Sequence, residues 1–144
     1  MMCKLTKLSA AEAFDWLSVC DEKFIPPKWS EGRLRQYADK LACNAHWITL
    51  ADDVTSQKMG CCAYYLNEEN QFAYISIIAI AKAFRGRGYG KQLIQQLVEN
   101  VSDHFKYILL EVSKSNERAL GLYCHYEFEI IEDRCEKFLM QKEL

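Results

Sequence analysis

The chain has 144 residues and a formal net charge of −2, and half of its residues are apolar. These values are typical of a folded chain, so the sequence predicts a single domain over residues 1–144 and excludes a disordered one. The near-neutral charge argues against a nucleic-acid partner. No apolar run approaches the roughly 18 residues of a membrane helix, so no membrane partner is expected.

Seven cysteines are spread through the chain without the spacing of a zinc site. The N-terminal residues lack the uninterrupted apolar stretch of a secretory signal, so we expect reduced thiols in a cytoplasmic protein. Cys61 and Cys62 are neighbours on a predicted strand, where adjacent side chains point to opposite faces. Because such a pair is a poor metal clamp, the sequence predicts no metal site.

The first part of the chain predicts one strand followed by two helices. Residues 2–8 alternate weakly between apolar and polar, as a strand does. Ser9 and Glu12 have the spacing of a capping box, which predicts a helix that ends near Cys20. Ser30 is the predicted cap of the second helix, whose apolar residues recur at helical spacing.

The rest of the chain alternates between strand and helix patterns. Strands are predicted at 46–51, 59–66, 72–81, 107–112, 127–132 and 135–141, and helices at 89–101 and 116–125. The assignments depend on apolar periodicity, β-branched runs and polar turns between them. The predicted order is therefore β-α-α-β-β-β-α-β-α-β-β.

An apolar strand at Ile78 to Ile80 leads into a loop with three glycines, and an amphipathic helix begins immediately after it. The first turn of a helix has unpaired backbone N–H groups and a partial positive charge. Glycines allow the backbone to approach a ligand closely, and Arg85, Arg87 and Lys91 add positive charge. The loop therefore predicts a phosphate or diphosphate site.

The spacing in the loop distinguishes between phosphate ligands. A P-loop sequence is absent, and a dinucleotide fingerprint would need glycine at positions now held by Lys91 or Leu93. The pattern R-x-x-G-x-G, formed by Arg85, Gly88 and Gly90, resembles the coenzyme A loop of the Gcn5-related N-acetyltransferase family. A solvated arginine-glycine turn is the alternative interpretation of this hexapeptide.

A second segment resembles a later motif of the same family: a strand, an asparagine, a helix ending in tyrosine and a short turn. Asn116 and Tyr123 are seven residues apart, which places them on nearly the same helix face. The resemblance is close over residues 59–130. Glu127 stands before Phe128 where the family usually has glycine, which puts the geometry of this turn in question.

The resemblance implies an α/β (α+β) fold with a mixed, mostly antiparallel, twisted sheet and helices on both faces. It also implies that acetyl-CoA donates an acetyl group, without a metal, to an amine that attacks directly. Tyr123 would act as the general acid on the departing thiolate. The strand at Ile78, Ala79 and Ile80 would separate from the strand near Tyr107 and bind the pantetheine arm, and Asn116 would hydrogen-bond the same arm. The residues expected to hold the diphosphate are Arg85, Gly86, Arg87, Gly88, Tyr89, Gly90 and Lys91.

The acceptor is expected to be a small molecule such as an amine, an amino acid or an amino sugar, and less readily a protein. Phe24 and Trp29 offer apolar faces for it, while Tyr74 and Glu111 lie on strands beside the expected thioester. No residue is identified as the general base. A homodimer through the late strands, transfer to a hydroxyl group, transfer of a longer acyl group and a regulatory module without turnover remain open.

Overall fold

The computed structural model describes residues 2–18 and 31–144, which form one sheet with helices on both faces. The strands are β1 (Met2–Thr6), β2 (His46–Ala51), β3 (Lys58–Asn67), β4 (Phe72–Ile80), β5 (Tyr107–Ser113), β6 (Glu129–Arg134) and β7 (Lys137–Glu143). The helices are α1 (Ala10–Ser18), α2 (Glu31–Asn44), α3 (Tyr89–Val101) and α4 (Glu117–His125). The order of elements and the α/β fold class that the sequence predicts are confirmed.

The strands of the described chain lie in the order β1-β2-β3-β4-β5-β7-β6. The central pair β4 and β5 is parallel, and the other neighbouring strands are antiparallel. A parallel pair needs a crossover connection, and α3 supplies it between β4 and β5. The helix that follows the glycine loop is therefore fixed next to the centre of the sheet.

Each face of the sheet carries its own apolar core. Helices α1 and α2 cover one face, called here the α1/α2 face, where Leu41 is fully buried. Helices α3 and α4 cover the other, the α3/α4 face, where Leu93 is fully buried. Cys61 belongs to the first core and Cys62 to the second, which confirms that the two thiols point in opposite directions.

The first helix begins with the capping box that the sequence predicts. The backbone N–H of Glu12 donates to Ser9 Oγ, and the backbone N–H of Ser9 donates to Glu12 Oε1, each at 3.2 Å. These reciprocal bonds satisfy donors that the first turn of a helix leaves without a partner. The start of α1 was therefore readable from local sequence alone.

The last two strands begin and end about two residues later than the sequence predicts. The predicted bounds were wrong because Glu127 and Cys135 have φ angles of 71° and 65°, in the left-handed region, which a strand does not use. The backbone N–H of Phe128 still bonds to the carbonyl of Tyr123 at 2.9 Å, so Phe128 belongs to the end of α4. Glu127 thus adopts the conformation that favours glycine at this turn.

Replacing Glu127 with glycine is expected to raise the free energy of unfolding by about 0.5–1 kcal/mol, because glycine adopts a positive φ without steric strain. The side-chain bond from Lys142 Nζ to Glu127 Oε2, at 3.4 Å on an exposed carboxylate, contributes little. Urea unfolding measures this change in the free energy of unfolding, and the m-value should stay the same. Glu129→Gly, on the extended and exposed strand β6, is the matched control and should lower stability; an equal loss for both variants would contradict the prediction.

Candidate active site

The two central strands separate halfway along their length. Strands β4 and β5 pair from Phe72 opposite Tyr107 to Ile75 opposite Leu110, and no pairing continues past that point. Beyond it, β4 remains paired with β3 as far as Ile80, and β5 remains paired with β7 as far as Ser113. The predicted separation is confirmed, and it leaves a gap in the sheet with backbone groups along its edge.

A bulge in β4 lies directly beside this gap. Ala63 pairs with Ile77 and Tyr64 pairs with Ile75, so Ser76 is an extra residue without a partner on β3. A bulge bends its strand and increases the local twist, which turns the end of β4 away from β5. The hydroxyl of Tyr37 on α2 lies 2.8 Å from Ser76 Oγ and fixes the bulge on the α1/α2 face.

The glycine loop follows β4 and ends at the first turn of α3. Gly86 and Gly88 have φ angles of 77° and 84°, which glycine adopts without strain. Gly88 is the N-cap of α3 and provides no capping side chain, and the first bond of the helix is from Gln92 N to Gly88 O. The N–H groups of the first turn are therefore open to a ligand at the positive end of the helix dipole.

A cavity of about 200 Å³ lies between the separated end of β4, the glycine loop, the start of α3 and α4. The predicted cofactor residues that line it are Ile78, Ala79, Ile80, Arg85, Gly86, Gly88, Tyr89, Gly90 and Asn116, together with Tyr123. Arg87 and Lys91 do not line it. Two motifs that are separate in the sequence thus meet in one cavity.

Some residues of the cavity were missed by the sequence analysis. They are Phe84, Ile94, Arg118, Ala119, Leu122 and Tyr126. Ala119 and Leu122 lie on α4 and Tyr126 is its C-cap, at spacings of three and four residues, alongside Asn116 and Tyr123. Helical periodicity around the two recognised residues would have identified them, because positions three and four apart share a helix face.

Tyr123 lies deep in the cavity wall and is only 7% exposed. Its ring makes an edge-to-face contact with Phe128, with ring centroids 5.7 Å apart. Burial, followed by an electrostatic interaction with Cys62, raises the pKa of Tyr123 well above its usual value of about 10. The phenol is therefore neutral and protonated throughout the physiological pH range.

Stability is expected to depend on the raised pKa of Tyr123 at alkaline pH. Above pH 10 the unfolded chain releases the phenol proton while the folded chain keeps it, so stability falls as pH rises. Each pH unit should remove about 1.4 kcal/mol of unfolding free energy from this group. Urea unfolding at pH 9, 10 and 11 measures the free energy of unfolding of the native chain and of Tyr123→Phe. The native chain should lose more stability than the variant as the pH rises above 10. An equal loss for both proteins would contradict the prediction.

Tyr74 and Glu111 meet on the α1/α2 face, next to the gap but outside the lining of the cavity. The hydroxyl of Tyr74 donates to Glu111 Oε1 at 2.9 Å. Burial raises the pKa of Tyr74, and the hydrogen bond to Glu111 raises it further. Arg134 Nη1 lies 3.7 Å from Glu111 Oε2, and Arg134 also pairs with Glu132 at 3.1 Å. Glu111 directly follows the last β4–β5 pair, so its carboxylate stands where the strands separate.

Two of the predicted acceptor residues, Phe24 and Trp29, lie outside the described residues. Within residues 2–18 and 31–144, no group of three or more His, Cys, Asp or Glu side chains could hold a metal ion. No helix in the same part of the chain is long and apolar enough to cross a membrane. The side chains that the structure brings to the site include phenols, the amide of Asn116, the carboxylate of Glu111 and arginines.

A family model described as the acetyltransferase (GNAT) family matches residues 10–128. The chain belongs to this family. The N-alpha-acetyltransferase 60 of Danio rerio is 36% identical to this GNAT chain over 64 residues, which are 42% of this chain. The chain spans about a quarter of that relative's length, since the match covers 26% of it.

Solved structures share the fold of this GNAT chain. An acetyltransferase from Thermus thermophilus superposes with a TM-score of 0.82 at 14% identity, over 100% of this chain and 98% of that one. A GNAT acetyltransferase from Elizabethkingia anophelis with acetyl-CoA bound superposes with a TM-score of 0.75 at 18% identity, over 99% and 97% of the two chains. At these identities the likeness concerns the fold.

Proposed function

We propose that residues 1–144 form a single domain that binds acetyl-CoA and transfers the acetyl group to the amine of a small-molecule acceptor. The observation that carries this proposal is the cavity at the gap between β4 and β5, where the glycine loop, Asn116 and Tyr123 meet. Membership of the GNAT family supports the same reaction class. The acetyl-CoA in the Elizabethkingia anophelis relative supports the same donor.

The cavity has the groups that a diphosphate and a pantetheine arm require. A methyl group built at Gly86, Gly88 or Gly90 would meet nothing within 4 Å, so the loop faces open space. Backbone amides from Arg85 to Lys91 would hold the diphosphate. Free backbone groups of Ile78 to Ile80 would pair with the amides of the pantetheine arm. Asn116 accepts a bond from Ala119 N through Oδ1, which leaves its amide N–H₂ as a donor for the same arm.

The transfer needs an acid for the sulfur and a place for the acceptor's proton. The amine nitrogen bonds to the thioester carbon, the carbon–sulfur bond breaks, and Tyr123 donates its proton to the thiolate. A site that excludes water destabilises the phenolate and the thiolate alike, so it raises the pKa values of both groups. The free-energy change of the proton transfer therefore stays small. Holding the two reactants together in the gap supplies a further share of the rate.

Glu111 is the group that would receive the acceptor's ammonium. Its Oε1 accepts a hydrogen bond from Tyr74. Within the described residues its Oε2 is approached only by Arg134 at 3.7 Å, which is too long for a hydrogen bond. An ammonium can therefore bind Oε2 and lose its proton to this carboxylate, directly or through water, before it attacks. Phe24 and Trp29 are proposed to contact the rest of the acceptor.

The reaction is tested with acetyl-CoA, a panel of amines, amino sugars, amino acids and peptides, and detection of the released thiol. Acceptor-dependent thiol release, with an N-acetylated product identified by mass spectrometry, would support the proposal. Acetylation found only on hydroxyl acceptors would show O-acetyl transfer instead of N-acetyl transfer. A faster reaction with longer acyl-CoA donors would show that the donor is a longer acyl-CoA and not acetyl-CoA. Tight coenzyme A binding without turnover across the panel would replace it with a regulatory module.

We also propose that the protein acts in the cytoplasm and can form a homodimer. The described cysteines Cys43, Cys61, Cys62, Cys124 and Cys135 form no disulfide with one another, which suits a reducing compartment. Strand β6 lies at an edge of the sheet with all of its residues exposed, including Ile130 and Ile131. Sedimentation analysis tests the dimer, and the chain fused to a fluorescent protein tests the location.

A further inference from the structure

We infer that Arg118, on the first turn of α4, binds the diphosphate of coenzyme A from the wall opposite the glycine loop. The inference rests on the proposed function, because it needs coenzyme A in the cavity. It concerns a residue that is outside the glycine loop. Two of the cationic side chains of that loop, Arg87 and Lys91, do not line the cavity.

Only one of the three cations of the loop lines the cavity. That residue is Arg85, whose Nε donates to the carbonyl of Ile80 at 3.0 Å and so holds part of the guanidinium at the end of β4. The guanidinium of Arg87 lies over the ring of Phe84, 5.9 Å from its centroid, and Arg87 does not line the cavity. Lys91 does not line it either.

Arg118 is placed differently from these three residues. It is exposed, it lines the cavity, and it makes no ion pair within the described part of the chain. Its acidic neighbour Glu117 does not line the cavity. Asn116 caps α4 through Ala119, which fixes the helix start and therefore the place from which the Arg118 side chain extends.

The charge of the ligand calls for such a group. Backbone N–H groups of the glycine loop bind phosphate oxygens, but they carry only partial charges. A guanidinium supplies a full positive charge and can bind two phosphate oxygens at once. Arg118 would thus complete a clamp in which the loop amides hold one side of the diphosphate and a side chain from α4 holds the other.

Calorimetric titration of coenzyme A into the native chain and Arg118→Gln tests the clamp without an acceptor. Loss of a charged hydrogen bond at an exposed site should weaken binding about tenfold. The same loss is expected with 3′-dephospho-coenzyme A, and none with pantetheine, which lacks phosphates. Arg118→Lys should recover part of the affinity. Arg33→Gln, at an exposed arginine of α2 on the α1/α2 face, is the matched control and should change affinity less than twofold.

The outcomes separate this inference from the proposed function. Equal affinities of the native chain and Arg118→Gln for coenzyme A would overturn the inference and leave the proposed function intact. A loss that disappears with 3′-dephospho-coenzyme A would overturn it in favour of a contact with the 3′-phosphate. Absence of binding to the native chain would overturn both. Unchanged thermal unfolding of Arg118→Gln shows that any loss belongs to the contact and not to the fold.

Discussion

Replacing Tyr123 with phenylalanine is expected to lower kcat about 100-fold, within the range that a general acid contributes. The phenylalanine ring keeps the edge-to-face contact with Phe128, so the loss belongs to the hydroxyl and not to packing. Tyr123 lines the cavity, and its hydroxyl has no hydrogen-bond partner within the described residues. The dissociation constant of coenzyme A should remain within twofold, because the proton is needed only when the sulfur departs.

Single-turnover kinetics with the best acceptor of the panel measure this effect separately from cofactor binding. Because its pKa is raised, Tyr123 stays protonated, so the ratio of native to variant rates should be constant between pH 6 and 9. Tyr107→Phe, at the paired start of β5, is the control and should leave kcat unchanged. If Tyr123→Phe retained more than about a third of kcat, Tyr123 would be a packing residue and the proton would come from another source.

Replacing Glu111 with glutamine is expected to lower kcat/KM for an amine acceptor about 100-fold. The amide occupies the same volume and can still bond to Tyr74, but it neither binds an ammonium by charge nor accepts its proton. Affinity for coenzyme A should stay within twofold, because Glu111 does not line the cavity. The substitution therefore distinguishes an effect on the acceptor from an effect on cofactor binding.

The acceptor dependence of the initial rate, measured at saturating acetyl-CoA, gives the effect of Glu111→Gln. The control is Glu129→Gln, an exposed carboxylate on β6, for which no change in kcat/KM is expected. A decrease in coenzyme A affinity equal to the decrease in kcat/KM would show that Glu111 supports the cofactor and would reject it as the acceptor site. An unchanged kcat/KM would also reject the assignment.

Much of the fold was predictable because the signals are local. The capping box of Ser9 and Glu12 and the apolar spacing from Tyr89 to Val101 depend on residues one or two turns apart. Periodicity also gave every strand of the described chain. The bounds of β6 and β7 were misplaced because nothing in the identities of Glu127 and Cys135 predicts a positive φ.

The sequence by itself determined the order of elements, the glycine loop and the helix that carries Asn116 and Tyr123. Local spacing encodes each of these, because helix periodicity, capping and turn chemistry depend on near neighbours. Only the tertiary structure decided which polar and charged side chains meet. Tyr74 and Glu111 are 37 residues apart and are joined by the pairing of β4 with β5. Strand register likewise brings Arg134 to Glu111, and helix packing turns Arg118 toward the cavity while Arg87 covers Phe84.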